Sequence, residues 1–575
     1  MPSSLPPLTA SPPSLEVSPA ALAPASALPL SPLSPKSEDC KQLPGEFPEP
    51  ELPFSKGRCI ALVITLAGAS FMNTFSAQAC VIILPAIGDA VGIPQSRQQW
   101  IVSAYTLTFG CFLILMGRIA DIYGKRLIFV MGTAWIAIML AINPFINNEI
   151  AFDLVRGLQG LGAAANVPTA IGILGTVFKP GKAKNYAFST YAAGAPIGSV
   201  FGNLVAGLIS EFASWKWVFA AMSLVCASLA CASFFIIPST PPQPQTGPHR
   251  GGLALIDWFG GALITIALVC LMFALTEGNV VGWQTPWVSA LIVVSFLLVA
   301  AFAWWQARLE KRLVDSKGTS RPPLMKISIF KNTKFSAGIV IMGLFFSSFN
   351  NFLIVATMYF QDLQNLSPLQ TTLRFLPTGV MGLIVAVVVS QLLSRVPTFY
   401  LLFFGNICNC IASLLFAVPI PPHTSYFAFG FIAMILSVFG ADTTWPSLTL
   451  FTSRALPQED QALGGALVNS SGQIGRSVGL ALATAAQTAV MARARGVPVT
   501  DAGPTMAWDD ASLKGLHAAA WLNFGLGMTS LSAVVIFFRG NDIVGRAERT
   551  VAPQRQTSDD KHVETMTSAA VCEKV

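Results

Sequence analysis

The residues able to do chemistry here are a small set of polar and ionisable side chains set into long apolar stretches. Arg156 opens the string RGLQGLGAA (Arg156 to Ala164) and follows Asp153 by three residues. Asp442 stands alone in another apolar run, and Asn73, Gln78, Asn166, Asn350, Asn351, Asn469, Gln473 and Arg476 are embedded in others. Groups of this kind are costly to bury unless they find a partner, water or a bound molecule. The chemistry they permit is proton exchange and polar contact with a small molecule. Asp442 can alternate its protonation, because desolvation disfavours the charged carboxylate, or it can pair with a loop cation near the end of its run. Arg156 either marks a functional position or snorkels to the interface. Asp153 lies on the same helical face and offers it a local partner.

Other chemistries find no support. His249, His423, His517 and His562 are dispersed without an HExxH pair, and Cys408 and Cys410, the closest cysteines, sit in an apolar run without metal spacing. Neither a metal nor a cofactor is expected. Gly157, Gly160 and Gly162 follow no strand, so they do not make a dinucleotide loop, and no GxxxxGK[ST] string is present to bind ATP. A membrane enzyme would cluster His, Asp or Glu at one membrane face, which this chain does not do.

These residues must be held by the elements around them. The chain has 575 residues, 53% of them hydrophobic and 11% charged, with mean hydropathy +0.61. That places it far from soluble proteins, of which roughly a quarter is charged. The net charge of +7 is scattered through short connectors rather than gathered into a basic stripe with aromatics, which argues against nucleic-acid binding. Fourteen apolar segments are long enough, or nearly so, to cross a hydrocarbon core of about 30 Å as helices. They cover about 60–86, 100–117, 127–147, 151–177, 187–210, 217–237, 254–276, 287–306, 335–359, 372–393, 398–418, 425–446, 462–490 and 517–538. Barrel-type alternation is absent, so the expected fold is an all-α polytopic membrane protein.

Charge sets the orientation. About 17 Lys and Arg fall in connectors after even-numbered segments and about 6 in those after odd-numbered ones, which puts the richer connectors and both termini in the cytosol. The longest connector, 307–334, divides the spans into eight and six. Two six-helix bundles with two extra helices between them give that division. The expected layout is a disordered cytosolic tail at 1–55, a first bundle at 56–237, a connector with two extra helices at 238–306 and a cytosolic loop at 307–334. A second bundle at 335–540 and a cytosolic tail at 541–575 complete it.

Three motifs narrow the reading. GRIADIYGKR places Gly117, Arg118, Asp121, Gly124, Lys125 and Arg126 in the short loop after the second span. Small residues there allow close helix approach, and Asp121 can face a helix N-terminus or a basic partner; a merely topology-setting basic loop is the bland alternative. RGLQGLGAA opens the fourth span. In the fifth, AGAPIGSVFGNLVAG stacks Gly194, Gly198 and Gly202 on one face with Pro196 between, which packing alone could also explain. With LPAIGDAVG and QQWIVSAYTL, these strings make residues 60 to 540 resemble the major facilitator superfamily, in its fourteen-helix drug:proton antiporter branch, where fungal multidrug and toxin exporters look most similar.

The resemblance implies a major facilitator fold working by alternating access. It implies that the Gly117 to Arg126 loop is a conformational switch, that Arg156 takes part in proton coupling, and that the Gly194 to Gly202 motif marks exporters that exchange substrate for protons. Ser76 stands nine residues before Pro85, where many relatives carry an acidic residue. The expected function is export of small organic, apolar or toxic compounds from the cytosol in exchange for protons, by a monomer in the plasma membrane or the vacuolar membrane. A nutrient or small-ion importer of the same fold is the first alternative, and a transporter-like sensor or membrane enzyme the second. Asn365 in Asn-Leu-Ser is a candidate exterior glycosylation site, followed directly by Pro368.

Overall fold

The computed structural model describes residues 52–93, 95–98, 100–238, 256–315, 322–421, 423–457, 460–540 and 543. The expected tails at 1–55 and 541–575 and the connector after 238 therefore lie almost wholly outside the described residues. Among the described residues there is no strand, and helices account for most of them. The long ones are α1 (Lys56–Ile82), α2 (Trp100–Tyr123), α3 (Lys125–Ile142), α4 (Glu149–Val177), α5 (Lys182–Phe212), α6 (Lys216–Ile236) and α7 (Trp258–Val281). They continue as α8 (Pro286–Asp315), α9 (Thr333–Met358), α10 (Pro368–Arg395), α11 (Thr398–Ala417), α12 (Gly430–Ala455), α13 (Gln461–Arg495) and α14 (Asp510–Phe537).

Thirteen of these are both long and apolar enough to cross a membrane. The exception is α13, which at 35 residues is the longest of all but carries Asn469, Ser470, Ser471, Gln473 and Arg476 through its middle. Its polarity is tolerated because the helix is enclosed by others: α9, α14, α2 and α4 all pack against it. Outward faces are the reverse. Phe212, Phe235 and Leu224 are 85%, 72% and 71% exposed, a condition that lipid satisfies and water does not.

The helices pair twice in the same pattern. In the first bundle α1 packs on α5, α2 on α4, and α3 on α4 and α6; in the second α9 packs on α13, α10 on α12, and α11 on α12 and α14. The bundles meet along two seams, α2 against α13 and α5 against α10. Helix α7 lies on the first seam, touching both α2 and α13, and α8 packs on α7. The two extra helices thus cover a joint between bundles rather than forming a third unit.

Several helix ends differ from expectation, most of all those of α8, which ends at Asp315 rather than 306, and α12, which ends at Ala455 rather than 446. The loop expected at 307–334 begins inside α8, which continues to Asp315 because Gln306 to Asp315 consists of helix-compatible residues with no glycine or proline to stop it. Trp445, which its place in the sequence suggests for an interfacial belt, instead sits mid-helix and stacks on Tyr191 across the bundles, ring centroids 5.7 Å apart.

Candidate functional site

The Gly117 to Arg126 loop closes one end of the molecule. Gly124 has φ of 102°, a backbone state that favours glycine, and lets α2 turn directly into α3. This turn sets Asp121 opposite the start of α13, where its two carboxylate oxygens accept hydrogen bonds from Ala462 N and Leu463 N at 3.2 and 2.9 Å. Those amides belong to the first turn of α13, whose own N-cap residue Asp460 provides no side-chain cap. A carboxylate of the first bundle therefore caps a helix of the second, adding negative charge at the positive end of the helix dipole.

Ion pairs surround this contact. Lys125 Nζ lies 3.0 Å from Asp121 Oδ1, and Arg118 Nη1 lies 2.9 Å from Asp460 Oδ1, with Lys326 Nζ 3.6 Å from the other Asp460 oxygen. Gly117 permits the approach: a methyl group there would sit 2.8 Å from Ala466 Cβ and 3.1 Å from Ala462 O. Arg126 turns away and donates from Nη2 to Phe234 O of α6. The motif is thus a clasp between bundles, with one member anchoring its own bundle.

The second motif has two faces. Gly194, Gly198 and Gly202 lie against the backbone carbonyls of Ala67, Phe71 and Phe75 in α1, a contact within one bundle. Pro196 points the other way, across the seam: a methyl on Gly382 of α10 would be 3.1 Å from Pro196 Cγ and 3.4 Å from Asp442 Oδ2. Asp442 is 6% exposed, and its Oδ2 has no hydrogen-bond partner among the described residues. Among the described residues no loop cation pairs with it, and Asp442 sits in the middle of α12 (Gly430–Ala455) rather than at its end.

Gly198→Leu is expected to destabilise the fold, because the added side chain meets backbone that cannot rotate away; overpacking costs about 1–3 kcal/mol even where side chains can yield. Gly207→Leu, on the same helix with open space around it, is the control. Thermal unfolding in detergent should separate the two, and equal midpoints would contradict the packing role.

A polar network crosses the first bundle. Arg156 is fully buried, so it does not snorkel. It donates from Nε to Ile101 O at 2.9 Å and from Nη1 to Gln159 Oε1 at 2.5 Å and Ser76 Oγ at 3.5 Å, and Gln159 Nε2 donates to Ser76 Oγ at 2.8 Å. The Tyr105 ring lies 5.1 Å from the guanidinium carbon. Asp153 makes no ion pair with Arg156, since the arginine reaches across to α2 and α1 instead of lying along its own helix. Ser76 thus fills with a hydroxyl the position opposite Arg156.

The other candidates divide. Asn73 Nδ2 donates to Asn166 Oδ1 at 3.1 Å, joining α1 to α4, and Gln78 Nε2 donates to Ser199 Oγ at 2.9 Å. Asn351 is 1% exposed and bonded to Gly479 O and Asn523 Oδ1, which makes it an internal tie and not a lining residue. Asn350, Asn469 and Arg476 are partly exposed although each lies within a span, and Gln473 packs on Gly110 of α2. Asn365 is exposed with φ of 54°, while Ser367 of its tripeptide caps α10. Sequence reasoning missed Asp460, Lys326, Gln159 and Tyr105. An acid directly before a polar helix was the one available signal for Asp460.

The tight approaches between bundles at Gly117, Gly172, Gly175 and Gly465 lie toward the clasp, and those at Gly379 and Gly382 lie near mid-span. The molecule is therefore closed at the clasp end. The sequence profile described as Major Facilitator Superfamily matches residues 66–278 and 258–480. A low affinity ammonium transporter of Saccharomyces cerevisiae is 32% identical over 426 residues, covering 74% of this chain and 80% of that protein. The efflux pump terG of Aspergillus terreus is 28% identical over 486 residues, covering 83% and 86%. The crystal structure of the human organic anion transporter TETRAN superposes with a TM-score of 0.57 at 15% identity, covering 83% of this chain and 99% of that one, a likeness of fold alone.

Proposed function

This chain belongs to the major facilitator superfamily and is a multi-pass membrane transporter rather than an enzyme, and we propose that it exports small organic, apolar or toxic compounds from the cytosol in exchange for protons. The basic clasp loops face the cytosol in this reading, as the distribution of Lys and Arg favours. The conformation is then closed to the cytosol, and the export cycle alternates between this state and one in which the clasp opens. The plasma membrane is the proposed location, with the vacuolar membrane as the alternative, and the monomer is the proposed working unit.

The observation that carries the proton reading is the placement of Asp442. A carboxyl group buried without a partner is strongly disfavoured in its charged form. It lies beside Pro196 and Gly382, where α5 meets α10, so release of its proton calls for water to take the proton and solvate the carboxylate at a seam that moves during the cycle. Protonation and bundle position are thereby linked. Of the other carboxyls considered, Asp121 is held in the clasp and Asp153 lies near the start of α4. Similarity to an efflux pump of Aspergillus terreus supports the outward direction.

Cells with and without the protein, loaded with a panel of fluorescent apolar compounds, provide the test. Lower accumulation that vanishes with a protonophore is the expected result, and higher accumulation would overturn the export reading. Similarity to the ammonium transporter favours a second reading, inward movement of ammonium. Methylammonium uptake that rises with expression and competes with ammonium would establish it.

A further inference from the structure

Arg476 is a guanidinium with little to hold. It lies on the face of α13 that meets the first bundle: Ala462 and Ala466 touch Gly117 of α2, Gln473 touches Gly110 of the same helix, and Arg476 is the next residue on that stripe. It is 15 positions beyond Gln461, hence about 22 Å along the helix and deep within the membrane-spanning part. Among the described residues it forms neither a hydrogen bond nor an ion pair, and its Nε is buried without a partner. Its contact is the Phe346 ring, 4.7 Å from the guanidinium carbon. That stacking compensates part of the desolvation but leaves five N–H donors unfilled.

Arg156 makes a useful contrast. Among the described residues it too lacks an acidic partner and its Nη2 is unbonded, yet Nε and Nη1 are engaged and the side chain is fully buried, so it is built into its own bundle. Arg476 is partly exposed, and the Phe346 ring it stacks on packs in turn against Phe349, ring centroids 6.1 Å apart. A cation without an anion among the described residues, stacked on an aromatic face, is complementary to an amphiphile of opposite charge.

We infer that Arg476 is the anion anchor of the translocation path, and that the compounds carried are organic acids with an apolar body and one carboxylate. The guanidinium fork takes the carboxylate through paired N–H donors, and the body lies along the Phe346 and Phe349 rings. The inference rests on the export reading for its biological direction but concerns binding alone. It runs against ammonium as cargo, since a small cation would meet Arg476 as a like charge.

The test uses the purified full chain in nanodiscs without any proton gradient, with naphthoate, naphthamide and naphthylmethylammonium as probes that share one aromatic body. Wild type is expected to bind naphthoate and to discriminate against both analogues. Arg476→Gln is expected to weaken naphthoate by about 10- to 100-fold, with Arg476→Lys recovering part of the loss. The unfolding midpoint of each variant without ligand reports whether it has folded, and the lysine variant preserves the charge should glutamine fail. Naphthamide or the ammonium compound binding as well as naphthoate, no naphthoate binding to wild type, or undiminished binding to Arg476→Gln would each overturn the inference. Because no gradient is present, failure here leaves the export reading to the cell assay, and failure of that assay leaves this result intact.

Discussion

Asp442→Asn is expected to uncouple transport from the proton gradient while leaving the protein folded. Flux of a fluorescent substrate into inside-out vesicles, driven by an imposed pH difference, should fall by about 5- to 150-fold, the range of a coupling energy of 1–3 kcal/mol. Exchange of labelled for unlabelled substrate without a gradient should stay near wild type. The reason lies in the surroundings of the carboxyl. Asp442 Oδ2 has no hydrogen-bond partner among the described residues, and the side chain is 6% exposed. Ionising it there costs several kcal/mol, and burying the neutral form costs less. If opening of the α5 and α10 seam admits water to the site, the charged form becomes affordable only in the opened state. Asparagine keeps the shape but removes the titration, so both states remain reachable and the proton no longer selects between them. An Asp442→Asn protein with full gradient-driven flux would refute the assignment and direct attention to Asp153 or Asp121.

How far the sequence could lead is visible in particular residues. The spans were legible because a helix crossing lipid needs a long apolar run, a local property. Even polar α13 could be found, since its apolar neighbours and glycines keep it within reach of that criterion. Membership of the superfamily was legible from loop and helix motifs. Partners were not. Asp121 and Leu463 are 342 positions apart and meet only because two bundles close on each other. Arg156 could be read as paired with Asp153 from spacing along one helix, but a long side chain in a bundle reaches to neighbouring helices, and Ser76 and Ile101 were the groups in range. The glycine stripe of α5 was visible as a close-packing face; that it packs on α1 while Pro196 faces α10 depends on the rotation of the helix about its axis, which tertiary contacts set.

Asp121→Asn is expected to shift the conformational balance away from the closed clasp by roughly 30- to 1000-fold, corresponding to about 2–4 kcal/mol. Two hydrogen bonds to the α13 amides lose their ionic acceptor, the dipole of α13 loses its counter-charge, and Lys125 loses its partner 3.0 Å away. Asparagine can still accept one bond, which makes the variant milder than alanine but leaves its NH2 group facing amide donors. The Arg118 and Asp460 pair, 2.9 Å apart, remains and resists opening, so Arg118→Gln should add to the effect less than fully. Labelling a cysteine at Ala462 with a membrane-impermeant maleimide, applied to the clasp side of inside-out vesicles, reads the change directly. Ala462 is fully buried beside Gly117 and Gly172 in the closed state and becomes accessible only when the bundles part. Faster labelling in Asp121→Asn than in the Asp121 background is the expected result, and transport should slow because return to the closed state loses its driving contact. Equal labelling rates would mean that the clasp reports the closed state without stabilising it, and that contacts nearer mid-span, at Gly382 and Gly465, hold the bundles together.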